Sequence, residues 1–511
     1  MNLHSLLGGL APITDLADVE VSGVTADSRQ VEAGHLFVAT RGQTTDGHAF
    51  LAEAARRGAA ALAGEAPDPR LGLPYLQVPD SRWFLAEAAS VWHGRPSRFL
   101  VVIGVTGTDG KTTTCNLLHA ILERAGHPTG LITSVNAVIG DRTLDTGFHV
   151  TTPDAPDIQR YLAEMVRAGL THVVLEATSH GLAQQRVAAC DFDLAVVTNV
   201  TPEHLDYHGT FEAYLSAKAR LLESLGETPP KKGVAERLAI LNRDDLSFDA
   251  LRARTPVRIV SYGLSPGADI TARDVRLSAD GIRFRAVGPG FDVAVESRLP
   301  GAYNVANCLA ALACATLGLG MDPAMVTESI RTAPAIPGRM EPVDIGQGFQ
   351  ALVDFAHTPN ALRQALLGAR ARTRGRLIVV FGCAGLRDSS KRAVMAATAV
   401  ELADLSVFTA EDPRTESLEA ILEEMAAGAR GGGGVEGMTF RRIPDRGEAL
   451  RWAVANARPG DLVLVCGKGH EQSMAFGTVE HPWDDRVAMR AALAERMGVA
   501  GPAMPKLPTG G

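Results

Sequence analysis

The sequence predicts an α/β protein of three domains, and three features of the chain support this. Apolar stretches of strand length, such as "FLVVIGV" at 99–105 and "THVVLEA" at 171–177, recur between segments with helical periodicity. This is the pattern of parallel sheets covered by helices. A glycine-rich turn follows the first of these stretches. The chain of 511 residues is also too long for one hydrophobic core.

The first predicted domain, residues 1–95, is a small α/β unit, because short apolar runs such as "HLFVAT" and "LPYLQV" alternate with alanine-rich stretches. The second, residues 96–334, contains the recurring apolar strands and is predicted to form a doubly wound parallel sheet. Prolines and a glycine near 334–338 mark a linker, and residues 335–511 form the third domain. The ending "GPAMPKLPTGG" is predicted to be a frayed tail.

The stretch "GVTGTDGKTTT" at 104–114 has the composition of a loop that holds the phosphates of ATP. Backbone N–H groups of such a turn surround phosphate oxygens, Lys111 supplies positive charge, and Thr112 offers a hydroxyl to Mg²⁺. Five residues rather than the usual four separate Gly104 from Gly110, so the loop is a variant of the common pattern. The alternative is a glycine-rich turn that binds nothing.

Two further strand ends carry groups that suit magnesium chemistry. Glu176 ends the run "VVLE", where a carboxylate associated with Mg²⁺ belongs, although a glutamate in this place also serves as a helix cap. His204 follows the next strand, and such a histidine taken alone is more often structural than a ligand. Lys218, on the helix after it, is by its own pattern a solvent-exposed lysine.

Composition excludes several classes of protein. The formal net charge of −8 argues against a nucleic-acid binder, which needs a basic face. The six cysteines show no C-x-x-C pairing, which favours buried thiols in a reducing compartment over disulfides or zinc. No apolar stretch reaches the length of a membrane span and the N-terminus has no signal-peptide pattern. We therefore expect a soluble, cytoplasmic protein that binds neither nucleic acid nor a membrane. We also expect a monomer.

Seven motifs in order resemble the Mur ligases of peptidoglycan synthesis: "GVTGTDGKTT", "EATSHGL", "TNVTPEHLDYHG", "PGAYNVANCLAA", "PGRMEPV", "VDFAHTPNAL" and "GKGHE". Three other segments, "VTADSRQVEAGHLFVATRGQTTDGHAF", "TTPD" and "GCAGLRD…EDPR", are similar to the group that adds a diamino acid to UDP-N-acetylmuramoyl-alanyl-glutamate. The resemblance implies an N-terminal UDP-binding domain, a central ATPase domain with a phosphate-binding loop, and a Rossmann-like C-terminal domain that binds the amino acid.

The resemblance also implies roles for individual residues. The catalytic groups would be Lys111, Glu176, His204 and Lys218, with Mg²⁺ at Thr112, Glu176, His204 and Lys218, the lysine being carbamylated in the family. ATP would be bound by Gly107, Thr108, Asp109, Gly110, Lys111, Thr112, Thr113, Asn304, Asn307, Arg339, Asp354 and His357. The UDP-muramoyl dipeptide would be bound by Ser28, Thr151, Thr152, Thr178, Gln184 and Arg186. The amino acid would be bound by Arg387, Glu411, Asp412, Pro413, Arg414, Gly467 and Glu471. Asp109 departs from the asparagine that is usual in the family.

The family's reaction predicts where the phosphate goes. The γ-phosphoryl of ATP is transferred to the substrate's carboxylate, and an amine then displaces phosphate from the acyl phosphate. The alternatives are another Mur ligase, a folylpolyglutamate synthase, or a regulatory protein that uses ATP as a switch. A switch has no need of a second metal site, which argues against the last.

The identity of the added amino acid depends on "EDPR" at 411–414. Arg414, with Arg387, suits the distal carboxylate of meso-diaminopimelate. Asp412 replaces an asparagine and adds a charge that favours lysine or ornithine, unless it pairs with Arg414. The sequence favours meso-diaminopimelate, with L-lysine and L-ornithine as the alternatives.

Overall fold

The computed structural model describes residues 1–10, 16–42, 45–144, 152–231, 234, 236–278 and 281–509. It has three sheets of more than two strands, one in each of three successive parts of the chain, with helices between the strands. The predicted α/β class with three units is confirmed.

The N-terminal unit contains a four-stranded parallel sheet with the order β1-β2-β3-β4. Leu36, Val38 and Ala61 from its strands pack with helix residues such as Phe84 in a core of their own. The elements are α1 (Leu3–Leu7), β1 (Gly23–Thr25), β2 (His35–Val38), α2 (Leu51–Arg56), β3 (Ala61–Gly64), β4 (Tyr75–Gln77) and α3 (Ser81–Trp92).

The central unit is an 11-stranded sheet with the order β15-β14-β13-β12-β11-β10-β5-β9-β6-β7-β8. Its elements up to the middle of the unit are β5 (Val101–Thr106), α4 (Lys111–Arg124), β6 (Thr129–Ile132), β7 (Ala137–Ile139), β8 (Arg142–Leu144), α5 (Ala155–Arg167), β9 (His172–Glu176), α6 (Ser179–Ala183), β10 (Leu194–Val197), α7 (Leu205–His208) and α8 (Phe211–Glu227). The remainder are β11 (Leu238–Asn242), α9 (Phe248–Ala253), β12 (Arg258–Gly263), β13 (Ile270–Ser278), β14 (Gly281–Gly288), β15 (Phe291–Ser297), α10 (Tyr303–Ala313) and α11 (Pro323–Thr332).

The middle of this sheet is parallel, as predicted, and both of its margins are antiparallel. Strands β13, β12, β11, β10, β5, β9 and β6 pair in parallel. The additions β6-β7-β8 and β13-β14-β15 pair antiparallel and were not predicted. Strand β5 lies between β10 and β9, where the connections leave in opposite directions, so the carboxyl ends of these three strands form the crevice in which such sheets bind ligands.

The C-terminal unit is a six-stranded sheet with the order β16-β17-β21-β18-β19-β20, parallel except for β16, and it carries a separate hairpin, β22-β23. The elements are β16 (Glu341–Pro342), β17 (Gln350–Asp354), α12 (Pro359–Arg372), β18 (Leu377–Phe381), α13 (Ser390–Leu402), β19 (Leu405–Phe408), α14 (Leu418–Gly431), β20 (Phe440–Arg442), α15 (Arg446–Asn456), β21 (Leu462–Cys466), β22 (Ser473–Phe476), β23 (Val479–Pro482) and α16 (Asp485–Met497).

The predicted frayed tail is wrong for its described part. Leu507 is buried and Met504 packs against the same apolar cluster of the C-terminal unit. The Thr509 hydroxyl donates a hydrogen bond to Asp445 at 2.7 Å. The proline and glycine content suggested fraying, but burial of these two apolar side chains attaches the segment.

All six cysteines are buried free thiols. Burial raises the pKa of Cys190, Cys308, Cys314 and Cys383 to about 12. Among the described residues, no helix is long and apolar enough to cross a membrane.

Candidate active site

The phosphate-binding loop connects β5 to the first residue of α4, Lys111. Gly107 and Gly110 have φ values of +148° and +83°, which favour glycine. A Cβ on Gly107 would lie 1.8 Å from the Thr198 hydroxyl, so this position has no room for a side chain. The end of β10 fixes the loop, because Asn199 accepts hydrogen bonds from the backbone N–H groups of Thr108, at 2.7 Å, and Asp109, at 2.9 Å.

Two oxygen groups converge at the start of α4. The Thr112 hydroxyl donates to Glu176 Oε2 at 2.9 Å, and Glu176 is almost completely buried at the end of β9. The Ser134 backbone N–H donates to the same carboxylate oxygen at 3.2 Å. Arg339, from the linker to the C-terminal unit, reaches the Thr112 hydroxyl at 3.1 Å. A hydroxyl and a carboxylate in contact are a donor set that suits a hard cation.

Lys218 is buried, contrary to the pattern of a solvent-exposed helix lysine. Only 1% of it is exposed, its Nζ donates to the Gly107 carbonyl at 2.6 Å, and it lies 4.5 Å above the Tyr214 ring. Burial, and next the charge of Lys111, hold the pKa of Lys218 well below its usual range. Lys218 is spaced three or four residues from Tyr214, Leu221 and Leu222, which are buried on the same face of α8. The burial of Lys218 could have been predicted from this spacing.

His204 lies just before α7, with a left-handed backbone at φ +54°. Its ring is 6.3 Å from that of Tyr214, so His204 and Lys218 approach the same aromatic side chain. Burial, with a smaller effect of Lys218, lowers the pKa of His204 to about 3. This histidine is therefore neutral and can act as a nitrogen ligand.

Glu203 was not predicted as a site residue, although the sequence motif contains it. Burial raises the pKa of its carboxyl group, which Lys111, Lys218 and Lys391 counteract. His357 Nε2 lies 3.9 Å from it. Its place directly before His204, a predicted metal ligand, could have identified Glu203 as a site residue.

A cavity of about 490 Å³, here called the nucleotide cavity, begins at the loop. Its lining includes these predicted ATP-binding residues: Thr108, Asp109, Gly110, Lys111, Thr112, Thr113, Asn304, Asn307, Arg339, Asp354 and His357. Gly107 is not in the lining. Asn307 donates to Asn304 at 2.8 Å, and a Cβ on Gly110 would lie 2.3 Å from Asn307. The structure thus brings the loop and the two asparagines of α10 together.

The central and C-terminal units face each other across this cavity. Asn360, at the start of α12, donates to Asp109 Oδ2 at 2.8 Å. Burial raises the pKa of Asp109. His470 Nε2 lies 2.9 Å from the Ser134 carbonyl. The residue that departs from the family pattern, Asp109, is therefore in contact with the C-terminal unit.

A second cavity, of about 790 Å³, here called the acceptor cavity, adjoins the first. Its lining includes most of the predicted substrate residues: Thr152, Thr178, Gln184, Arg186, Arg387, Glu411, Asp412, Arg414, Gly467 and Glu471. The wall that both cavities share contains Thr108, Thr178, Glu203, His204 and His357. Pro413 does not line it, Ser28 lies apart in the N-terminal unit in a short helix at Ser28–Gln30, and Thr151 lies outside the described residues.

The central-unit side of the acceptor cavity is a connected polar surface. The Thr152 and Thr178 hydroxyls are 3.0 Å apart. Arg186 donates to the Thr152 carbonyl at 2.6 Å, to Gln184 at 2.8 Å, and lies 3.2 Å from Asp154. These groups are held in place by one another and face the cavity.

The C-terminal side of the acceptor cavity contains a buried lysine that pairs with two carboxylates. Both carboxylate oxygens of Asp412 are 3.0 Å from Nζ of Lys468, which also pairs with Glu471. The Arg414 guanidinium donates instead to the Gly385 carbonyl at 2.7 Å. Asp412 therefore pairs with Lys468, which the sequence reasoning missed, and its Oδ1 also accepts from the backbone N–H of Ala475 at 2.9 Å. Burial and the nearby Arg414 lower the pKa of Arg387.

A UDP-N-acetylmuramyl-tripeptide synthetase from Roseiflexus sp. (strain RS-1) is 44% identical over 97% of this chain and 99% of its own length. The chain belongs to the Mur ligase family. Three models match in order: the Mur ligase family catalytic domain at residues 20–93, the Mur ligase middle domain at 105–315, and the Mur ligase glutamate ligase domain at 338–469. The predicted family and the predicted class of enzyme, an ATP-dependent ligase, are confirmed.

Two further Mur ligases extend the comparison. A UDP-N-acetylmuramoyl-L-alanyl-D-glutamate–2,6-diaminopimelate ligase from Geobacillus kaustophilus (strain HTA426) is 42% identical over 93% of this chain and 96% of its own length. A solved structure with the same enzyme name superimposes with a TM-score of 0.64 at 32% identity, covering 93% of this chain and 95% of the other. Both similarities span all three units of the Mur ligase fold.

Proposed function

We propose that this protein joins a diamino acid to UDP-N-acetylmuramoyl-L-alanyl-D-glutamate, using ATP, in peptidoglycan synthesis. The observation that carries the proposal is the wall shared by the two cavities, where Thr108, Glu203 and His204 border both. A phosphoryl group leaving a nucleotide in one cavity has a direct path to a carboxylate in the other. The names of the full-length relatives support the choice of substrate.

The chemistry follows from the low reactivity of a carboxylate toward an amine. A carboxylate oxygen of the dipeptide's glutamate attacks the γ-phosphorus of ATP, the bond from that phosphorus to the β,γ-bridging oxygen breaks, and ADP leaves. The amino group, as the free base, then attacks the carbonyl carbon, and the C–O bond to phosphate breaks. Lys111 and Arg339, which line the nucleotide cavity, offset the negative charge that gathers in the first step.

Mg²⁺ fits part of the site as it stands. The contacting Thr112 hydroxyl and Glu176 carboxylate would hold one ion, which when bound would supply positive charge next to the phosphates. A second ion at His204 and Lys218 would be repelled by Lys218 as an ammonium group. Such an ion would be compatible with a carbamate on Lys218, because carbamylation turns the amine into an anionic oxygen donor.

The environment of Lys218 suits that modification. Only a neutral amine attacks CO₂, and the burial that lowers the pKa of Lys218 favours the neutral form. Its Nζ donates to the Gly107 carbonyl within the phosphate-binding loop, so a carbamate would form next to the place where the loop would hold the phosphates of ATP.

For the added amino acid we propose meso-diaminopimelate, ahead of L-lysine and L-ornithine. Arg387 and Arg414 both line the acceptor cavity, and guanidinium groups suit a second carboxylate. The argument for lysine is the added charge of Asp412, and that carboxylate is already paired with Lys468, which it shares with Glu471. The two guanidinium groups at this end of the cavity therefore favour a substrate with a distal carboxylate.

The proposal is tested with purified protein, ATP, Mg²⁺, the UDP-muramoyl dipeptide and each of the three amino acids. We expect phosphate release that depends on both substrates, and a UDP-muramoyl tripeptide identified by mass. Borohydride trapping in the absence of amino acid should reduce the acyl phosphate to an alcohol. Phosphate release with a folate and glutamate, and none with the UDP-muramoyl dipeptide, would overturn the proposal.

A further inference from the structure

A fully buried ion pair, Arg446 with Asp485, lies at the carboxyl edge of the C-terminal sheet. The guanidinium Nε donates to Asp485 Oδ1 at 2.8 Å and Nη2 donates to Oδ2 at 2.7 Å, and neither side chain is exposed. The Trp483 indole N–H donates to Asp485 Oδ1 at 2.8 Å. None of the three lines either cavity. Arg446 is the first residue of α15, Asp485 is the first residue of α16, and Trp483 lies two residues before Asp485.

The same guanidinium ties two strand ends together. Nη1 donates to the Ala410 carbonyl at 3.0 Å, and Nη2 donates to the Cys466 carbonyl at 2.7 Å. Cys466 ends β21 and Ala410 comes shortly after β19, and β18 separates these strands in the sheet. Arg446 therefore sets the spacing of two segments that share no ladder hydrogen bonds.

The residues directly after those two carbonyls form a wall of the acceptor cavity. Glu411 and Asp412 follow Ala410, and Gly467 follows Cys466. Glu411 Oε2 is buried and has no hydrogen-bond partner among the described residues. A Cβ on Gly467 would lie 2.1 Å from that oxygen. The two segments are thus in contact, and a small displacement of either would change the shape of the wall.

Stability alone is a weak explanation for this pair. Removing two charges from water costs about as much as their attraction returns, and apolar residues of similar volume often replace such pairs without loss. The other N–H groups of the guanidinium donate to the carbonyls at the two strand ends. Such contacts hold the segments of a binding site in place.

The opposite edge of the same sheet provides a matched control. Arg376 precedes β18 and pairs with Asp461, which precedes β21, at 2.7 Å. Asp461 is buried, and its Oδ1 accepts from the backbone N–H of Arg376 at 2.8 Å. This pair also fixes strand ends, but at the amino edge, away from both cavities.

We propose that Arg446 and Asp485 are positioning residues for the incoming amino acid, because they hold the Glu411 and Gly467 segments at the spacing that the substrate requires. The inference rests on the proposed function only in assigning the amino acid to the acceptor cavity.

The test compares Asp485→Asn and Trp483→Phe with the control Asp461→Asn in steady-state kinetics with all three substrates. We expect the KM for the amino acid to rise about tenfold in Asp485→Asn and a few fold in Trp483→Phe, since each loses a hydrogen bond to a buried charge. The KM values for ATP and the UDP substrate and kcat should stay within about twofold. In Asp461→Asn, Tm should fall with no change in the KM for the amino acid.

Three results would overturn the inference: an unchanged KM for the amino acid in folded Trp483→Phe, an equal rise of all three KM values, or an equal rise in Asp461→Asn. Trp483→Phe keeps the aromatic ring, so it decides the matter if Asp485→Asn does not fold. A wild-type protein that joins a different amino acid overturns the proposed function instead, and the KM for that amino acid then carries the test.

Discussion

At the scale of single residues, Lys218 is buried where its pattern predicted a solvent-exposed side chain. We expect Lys218→Ala to abolish ligation, because it removes both the amine and the carbamate that would form on it. Millimolar-scale bicarbonate or a short carboxylic acid should partly restore activity by supplying an anion in the vacated space beside Gly107. Phosphate release measured with and without added acid checks this.

The matched control for Lys218→Ala is Lys231→Ala, which removes a lysine that pairs with Asp193 at 2.7 Å and lines neither cavity. Added acid should give it no gain in activity. Full activity of Lys218→Ala without added acid would show that this lysine has no role in the reaction.

The pairing of Asp412 with Lys468 changes what its charge implies about the preferred amino acid. Because its carboxylate is held by Lys468, Asp412→Asn should leave the order of preference among the three amino acids unchanged. It should reduce stability by about 1–3 kcal/mol, because a buried ammonium loses part of its pairing. The measurements are kcat/KM for each amino acid and urea unfolding. A shift of preference from lysine toward diaminopimelate on this substitution would mean that the charge acts on the substrate after all.

At the scale of elements, the loop between β5 and α4 should serve the nucleotide and not the UDP group. Lys111 lines the nucleotide cavity, whereas Ser28 lies in the N-terminal unit. We expect Lys111→Ala to lower the rate of phosphoryl transfer at least about a hundredfold. Its affinity for the UDP-muramoyl dipeptide should be nearly unchanged. Calorimetric titration with each ligand distinguishes the two effects. Equal weakening of both ligands would contradict the assignment of the UDP group to the N-terminal unit.

The elements that the sequence predicted well are those whose pattern is local. The runs that became β5, β9 and β10 are apolar over most of their length, and a buried parallel strand requires that composition. The antiparallel additions β13–β15 were missed because their exposed, arginine-containing faces lack a continuous apolar run. The pairs of Lys468 with Asp412 and of Arg446 with Asp485 were missed because the partners are distant in the chain, 56 and 39 residues apart, and no spacing rule reaches so far.

At the scale of the whole molecule, several buried histidines make stability depend on pH. Burial lowers the pKa of His172, at the start of β9, from 6.5 to about 4. Between these values the unfolded chain binds a proton that the folded chain does not, so the free energy of unfolding decreases as the pH falls from 6.5 to about 4. The effect is absent above pH 6.5.

We therefore expect His172→Phe to reduce the difference in unfolding midpoint between about pH 7 and about pH 5. The control is His481→Phe in the hairpin β22–β23, which should keep the full difference. Urea unfolding at both pH values provides the measurement. An unchanged pH dependence in His172→Phe would mean that other groups account for it.

The burial of all six thiols has a practical consequence. Burial raises the pKa of all six, to about 12 in Cys190 and Cys308 among others. Almost no thiolate is then present at neutral pH, and maleimide dyes react with thiolates. A cysteine introduced at the exposed Leu246 of the central unit and another at the exposed Leu386 of the C-terminal unit would then be the reactive pair in an otherwise unlabelled chain. Fluorescence energy transfer between two dyes could follow the distance between these units during turnover, without first removing any natural cysteine.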